Sequence, residues 1–156
     1  MRKSIAIILS AYAFNAYSSD DVSLTLIGYI PEKCGFTAES NNLSLSNNGL
    51  ASTELVIDCN SPMRVSMQSE NGGLRHQKGT QINDYSVTLS IADANYSTSV
   101  LAHQLKNTKM FNVNEILFKS IATLQLKLVD PLIYAGNYQD VIRIEMTPSA
   151  ISGGVW

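Results

Sequence analysis

The chain predicts an all-β fold, a sandwich of antiparallel sheets, and three observations carry that reading. Apolar and polar residues alternate with period two in run after run. Gly, Asn and Pro clusters separate the runs, and no stretch sustains a helical period.

The runs come in order. Leu55 and Ile57 lead to Cys59 across polar Glu54 and Asp58. Met63, Val65 and Met67 alternate with Arg64, Ser66 and Gln68. Tyr85, Val87, Leu89 and Ile91 alternate with Ser86, Thr88 and Ser90. Leu124, Leu126 and Leu128 alternate with Thr123, Gln125 and Lys127, and Ile142, Ile144 and Met146 with Arg143 and Glu145. Each run presents one face to a core and the other to water, as antiparallel sheets do. Turns are expected at Asn47-Asn48-Gly49, Asn60-Ser61-Pro62, Asn71-Gly72-Gly73, Lys78-Gly79 and Ala135-Gly136-Asn137. The Asn71 turn reads as a plain hairpin with solvated Ser69 and Glu70 beside it, the alternative being a contact with a partner protein. The segment from Leu101 to Leu117 has no clear period, and His103 within it reads as a surface or edge residue. About six or seven strands with short turns indicate a sandwich that is immunoglobulin-like in general form. Tyr138, just ahead of the last run, has two readings: a tyrosine corner tying a loop to its sheet, or an ordinary half-buried Tyr.

Residues 1–18 read as a secretory signal. Met1-Arg2-Lys3 is basic, Ile5 to Phe14 is a short apolar stretch, and Ala16-Tyr17-Ser18 offers small residues for cleavage after Ser18. Cleavage after Ala16 would place bulky Phe14 at the −3 position. No run reaches the roughly 20 apolar residues of a spanning helix, so no membrane insertion is expected. The remainder is of single-domain size. A net charge of −2 without a basic patch argues against a nucleic-acid partner. Two cysteines, Cys34 and Cys59, make one disulfide the default in an exported chain. In the chain-entropy account, closing that loop restricts the unfolded state by roughly 3.5 kcal/mol. A metal site needs about four ligands, and His76 and His103 are isolated, so no metal is expected. Met63 and Met67 read as core filling. Neither a phosphate loop, a GxSxG elbow, an HExxH helix nor a paired acid cluster is present, so neither catalysis nor a cofactor is expected.

One strand is in surplus. Between the signal and the first cysteine, Val22, Leu24, Leu26 and Ile30 share a row with Gly28, while Ser23, Thr25, Ile27 and Tyr29 form the other row. At the far end, the chain after Pro148 is a poor strand, short and broken by Gly153-Gly154. A long, apolar, unpaired strand is an aggregation hazard unless something covers it. The economical solution is β-strand addition to the next copy of the same chain.

At this point "DVSLTLIGYI" resembles the N-terminal donor strand of chaperone–usher fimbrial subunits, including the glycine in the apolar row. "CGF", "VIDCNSP", "SENGGLR", "INDYSVTLSI" and "AGNYQDVIRIEM" together resemble the spore coat protein U and archaic fimbrial group, over most of the chain past the signal. The resemblance implies an incomplete immunoglobulin-like sandwich lacking its last strand. It implies a donor extension over 19–33, a pilin body over 34–148 and a tail over 149–156. It matches Val22, Leu24, Leu26, Gly28 and Ile30 to the donor row. Cys34 and Cys59 match the disulfide linking the first two body strands. Ile142, Ile144 and Met146 match the groove-flanking strand that the chaperone pairs with before assembly. The implied partners are sister subunits in a head-to-tail polymer, a periplasmic chaperone and an outer-membrane usher. The implied destination is a cell-surface fimbrium serving adhesion or biofilm formation. The alternative is a minor or tip subunit, or a single-domain carbohydrate-binding adhesin. The tail departs from the pattern, since such subunits often end near that last strand. It has two readings, a disordered extension or a partial cover for the subunit's own groove, and the second would stand against polymerisation.

Overall fold

The computed structural model describes residues 22–149; the predicted signal peptide and residues 150–156 of the tail lie outside the described residues. The chain divides into two units, one ending at Ile30 and one beginning at Pro31. In the first, residues 22–30 are assigned to no strand, and their apolar side chains are exposed.

Among the described residues the second unit has eleven strands: β1 (Cys34–Ala38), β2 (Leu50–Cys59), β3 (Met63–Ser69), β4 (Leu74–His76), β5 (Ile82–Asn83), β6 (Tyr85–Ile91), β7 (Tyr96–Leu101), β8 (Lys109–Val113), β9 (Leu117–Leu128), β10 (Tyr138–Gln139) and β11 (Ile142–Pro148). They form a five-stranded sheet in the order β1-β2-β9-β6-β7 and a three-stranded sheet in the order β11-β3-β8. A small third sheet, β10-β4-β5, lies at one end. All ladders are antiparallel. The fold is all-β and sandwich-like.

The period-two runs are the walls of the core. Along β2, Ala51, Thr53, Leu55, Ile57 and Cys59 are buried and every intervening residue is exposed. β3 and β6 contribute Met63, Val65 and Met67, and Tyr85, Val87, Leu89 and Ile91, to one continuous cluster that also includes Leu124 and Leu126. At roughly 25 cal/mol per Å², these fully covered side chains supply most of the drive to fold. The register carries one irregularity: β9 has an extra residue opposite Asp58, with Lys119 at φ +50°. Such a bulge sharpens strand twist.

Strands outnumber the six or seven expected. β7 and β8 went unread because only Val100 and Val113, respectively, are fully buried in them, so the alternation is faint. The unassigned Leu101–Leu117 region holds a short 3-10 turn, Ala102–Lys106, followed by β8. His103 is indeed exposed, and its Nδ1 lies 2.6 Å from Asp84 Oδ2. Ser69 departs from expectation: it is buried, for a reason given below.

The register defines two poles. The head carries the start of β11, where Ile142 pairs with Ser69, and the end of β9, where Leu128 pairs with Tyr85. The foot carries Pro148 beside Met63, and Cys34 and Leu117 beside Cys59.

A candidate acceptor cleft between two unpaired edges

β1 pairs only with β2, and β11 only with β3, among the described residues. These two edges lie near each other with no ladder joining them. β11 therefore offers unused backbone donors and acceptors over seven residues, and in a native sheet such groups call for a partner.

The inner rows tell the same story through burial. On β3, Met63, Val65 and Met67 are at most 1 % exposed. Ile142, Ile144 and Met146, facing the same core from the adjacent strand β11, are only half-buried. Phe36 on β1 is also half-buried. A core incomplete along one seam produces that contrast. Toward the head the seam widens into a cavity of about 390 Å³. Its walls include Leu45, Ala51, Leu74, Tyr85, Leu126 and Ile142.

The head end of β11 is fixed by a carboxylate. Asp140 Oδ2 accepts from Ser69 Oγ at 2.5 Å and from the Tyr85 hydroxyl at 2.6 Å. Its Oδ1 accepts from the backbone N–H of Asn71 at 2.9 Å and of Val141 at 2.8 Å. Gly72 N–H in turn donates to Ser69 Oγ at 2.7 Å. This is why Ser69 is buried: it anchors the turn at Asn71-Gly72-Gly73, where Gly72 sits at φ +72°, to the strand that begins at Ile142. With four donors satisfied, Asp140 is a structural hub.

Burial, then the hydrogen bond and negative charge of Asp140, push the Tyr85 phenol above its usual range. A raised folded pKa means that the protonated form is favoured by folding. That stability is present in full below the unfolded tyrosine pKa of about 10 and is lost as pH rises beyond it. Denaturation at graded pH should show a steeper alkaline loss in the native chain than in Tyr85→Phe.

A second anchor holds the loop that precedes β10. The Tyr138 hydroxyl donates to the Tyr134 carbonyl at 2.9 Å, four residues upstream, which is tyrosine-corner geometry. His76 meets the Tyr138 ring edge-on at 4.9 Å, with its Nε2 3.2 Å from the Ala135 carbonyl. Gly136 has φ +147°, and a Cβ there would collide with the His76 ring. Tyr138→Phe is expected to cost about 1 kcal/mol, the net worth of one hydrogen bond, read as a lower urea midpoint at unchanged slope.

The foot is tied by other means. Cys34 and Cys59 face each other in the β1–β2 register, with Cα atoms 4.1 Å apart, and form a disulfide. Asn60, read from sequence only as a turn residue, clamps residues 31–33. Its Oδ1 accepts from Lys33 N–H at 2.7 Å, its Nδ2 donates to the Pro31 carbonyl at 2.9 Å, and its N–H donates to the Lys33 carbonyl at 3.1 Å. An Asn just past a strand's cysteine signals such a clamp only once β1 and β2 are known to pair.

The sequence-derived residues therefore fall in three places. Ile142, Ile144 and Met146 line one wall of the cleft. Cys34 and Cys59 bind the opposite wall, β1, to the neighbouring strand β2. Val22, Leu24, Leu26, Gly28 and Ile30 lie in the first unit, exposed, with open space around a Cβ built at Gly28. Among the described residues no group of three His, Cys, Asp or Glu is arranged to hold a metal, and no helix is long and apolar enough to cross a membrane.

No family model matches the chain, and no curated protein matches it. Among solved structures, it is similar to a chain from work on a chaperone–tip adhesin complex vital for synergistic activation of CFA/I fimbriae biogenesis. The two share 19% identity at a TM-score of 0.49, over 72% of this chain and 39% of the other. A likeness that slight carries neither the fold nor a function; the fold rests on the strands themselves.

Proposed function

We propose that this protein is a structural subunit of a chaperone–usher surface fimbria and that its copies join by donor-strand complementation. The observation that carries the reading is the seam at β11: an inner row left half-buried beside an edge with no partner. The 22–30 arm is the fitting complement. It is nine residues long against the seven of β11, apolar along one row, and exposed in its own chain.

The magnitudes are adequate. Covering four large aliphatic side chains contributes roughly 6–12 kcal/mol, at about 1.5–3 each. Ladder hydrogen bonds add about 0.5–1.5 kcal/mol apiece. Association costs roughly 4–15 kcal/mol. Arm burial alone leaves a narrow margin, so completion of the acceptor's own core supplies the rest. Before assembly, an open seam of this kind needs a stand-in strand, the role a periplasmic chaperone fills, and an usher then threads the subunits to the cell surface. The protein serves there as a non-enzymatic building block of a fibre, in adhesion or biofilm formation.

Negative-stain microscopy of cells producing the protein with a matching chaperone and usher tests this. Surface fibres containing the protein are expected. A purified full chain that stays monomeric and stable without any chaperone would contradict the reading.

A further inference from the structure

Outside the cleft and the arm, two exposed apolar patches sit at opposite poles. At the head, the loop between β9 and β10 presents Leu132, Ile133 and Tyr134, with Ile133 78% exposed. This loop is held in shape, by the Tyr138–Tyr134 bond on one side and by Val129 N–H donating to the Asp84 carbonyl at 3.1 Å on the other. At the foot, Ile116 and Phe118 flank Leu117, with Phe118 67% exposed. Apolar side chains fixed in water at both ends of one domain suggest contact surfaces.

We infer that these patches meet across each junction of the polymer, the foot of one copy seated on the head loop of the next. The inference rests on the donor-strand reading and adds a second interface to it. All ladders in the body are antiparallel, and antiparallel pairing is also the commoner kind in general. An arm laid antiparallel on β11 starts at the acceptor's foot and finishes at its head, near Ile142. Ile30 therefore ends at the acceptor's head. From there only residues 31–33 separate the arm from Cys34 at the donor's own foot. The four steps from Ile30 to Cys34 span roughly 14 Å at most, and Asn60 holds residues 31–33 against that foot. The donor's Ile116 and Phe118 are thereby brought to the acceptor's Leu132, Ile133 and Tyr134. The surfaces differ, so the contact is heterologous and propagates as a filament without closing.

The test uses the full-length chain assembled with its chaperone and usher. Both native cysteines are in the disulfide, so a thiol reagent sees only introduced ones. Polymers of the Phe118→Cys/Ile133→Cys double variant are treated with a short bis-maleimide, then boiled in SDS. The expected result is a covalent ladder of many bands from the double variant, with no species beyond dimer from either single variant. Polymers of the double variant that boil down to monomer would overturn the pole-to-pole contact and leave the donor-strand reading standing. A ladder from Phe118→Cys alone stopping at dimer, with none from the double variant beyond dimer, would indicate foot-to-foot packing and also overturn it. Failure of the unsubstituted chain to polymerise would overturn both.

Discussion

Leu26→Asp is expected to abolish fibres while leaving export intact. Leu26 is 98% exposed in the free chain, and the donor-strand proposal has it enter an apolar seam on assembly. The substitution forfeits about 1.5–3 kcal/mol of burial. It also carries a carboxylate into a site with no partner, which costs several kcal/mol more unless the group is protonated. Against a narrow margin, that is enough to reverse the association equilibrium. Gly28→Arg reaches the same end by bulk, since the strand must approach closely where the row has no side chain. In the free chain neither change disturbs packing, because Leu26 is exposed and a Cβ at Gly28 meets nothing. Secretion and disulfide formation should be normal, and quantitative microscopy with immunoblotting of surface-sheared material checks both halves. Fibres of either variant at native abundance would show that this arm is not the donor.

Asp140→Ala should produce the largest loss of stability in the body. It removes the acceptor for four donors at once, leaving the Tyr85 hydroxyl, Ser69 Oγ and two backbone N–H groups without their partner. Breaking a part-buried charged network costs about 3–5 kcal/mol, a large share of the roughly 5–15 kcal/mol of a typical domain. The effect also reaches the cleft, because Tyr85, Asp140 and Ile142 all line its wide end. Urea unfolding followed by far-ultraviolet circular dichroism should show a much lower midpoint. Asp140→Asn, which keeps an acceptor oxygen, should fall between the two. Equal midpoints for all three would mean that the carboxylate does not organise the head of β11.

What could be read in the sequence, and what could not, follows burial. The runs of β2, β3 and β6, and the later part of β9, alternate cleanly because each is fully covered on one face and half-buried or exposed on the other. β11 alternates equally well, yet nothing in its letters shows that its inner row is only half-covered; that depends on what lies beside it. Short edge strands such as β7 and β8 bury too little to leave a pattern. Ser69, Asp140 and Asn60 were illegible as functional residues for a different reason. Their partners lie 71 residues away for Ser69 with Asp140, and 27 for Lys33 with Asn60, so only the folded register brings them together. Tyr138 was legible as a choice between two readings, and its hydroxyl contact with Tyr134 decides for the corner.

Amide hydrogen exchange, resolved by peptide, compares assembled polymer with dissociated monomer and tests the missing-strand account most directly. Slow exchange appearing jointly in residues 22–30 and 142–148 on assembly, with 22–30 fast in the monomer, is the predicted result. Fast exchange over 22–30 within intact polymer, or equal protection of both segments in a monomer that never assembles, would contradict it.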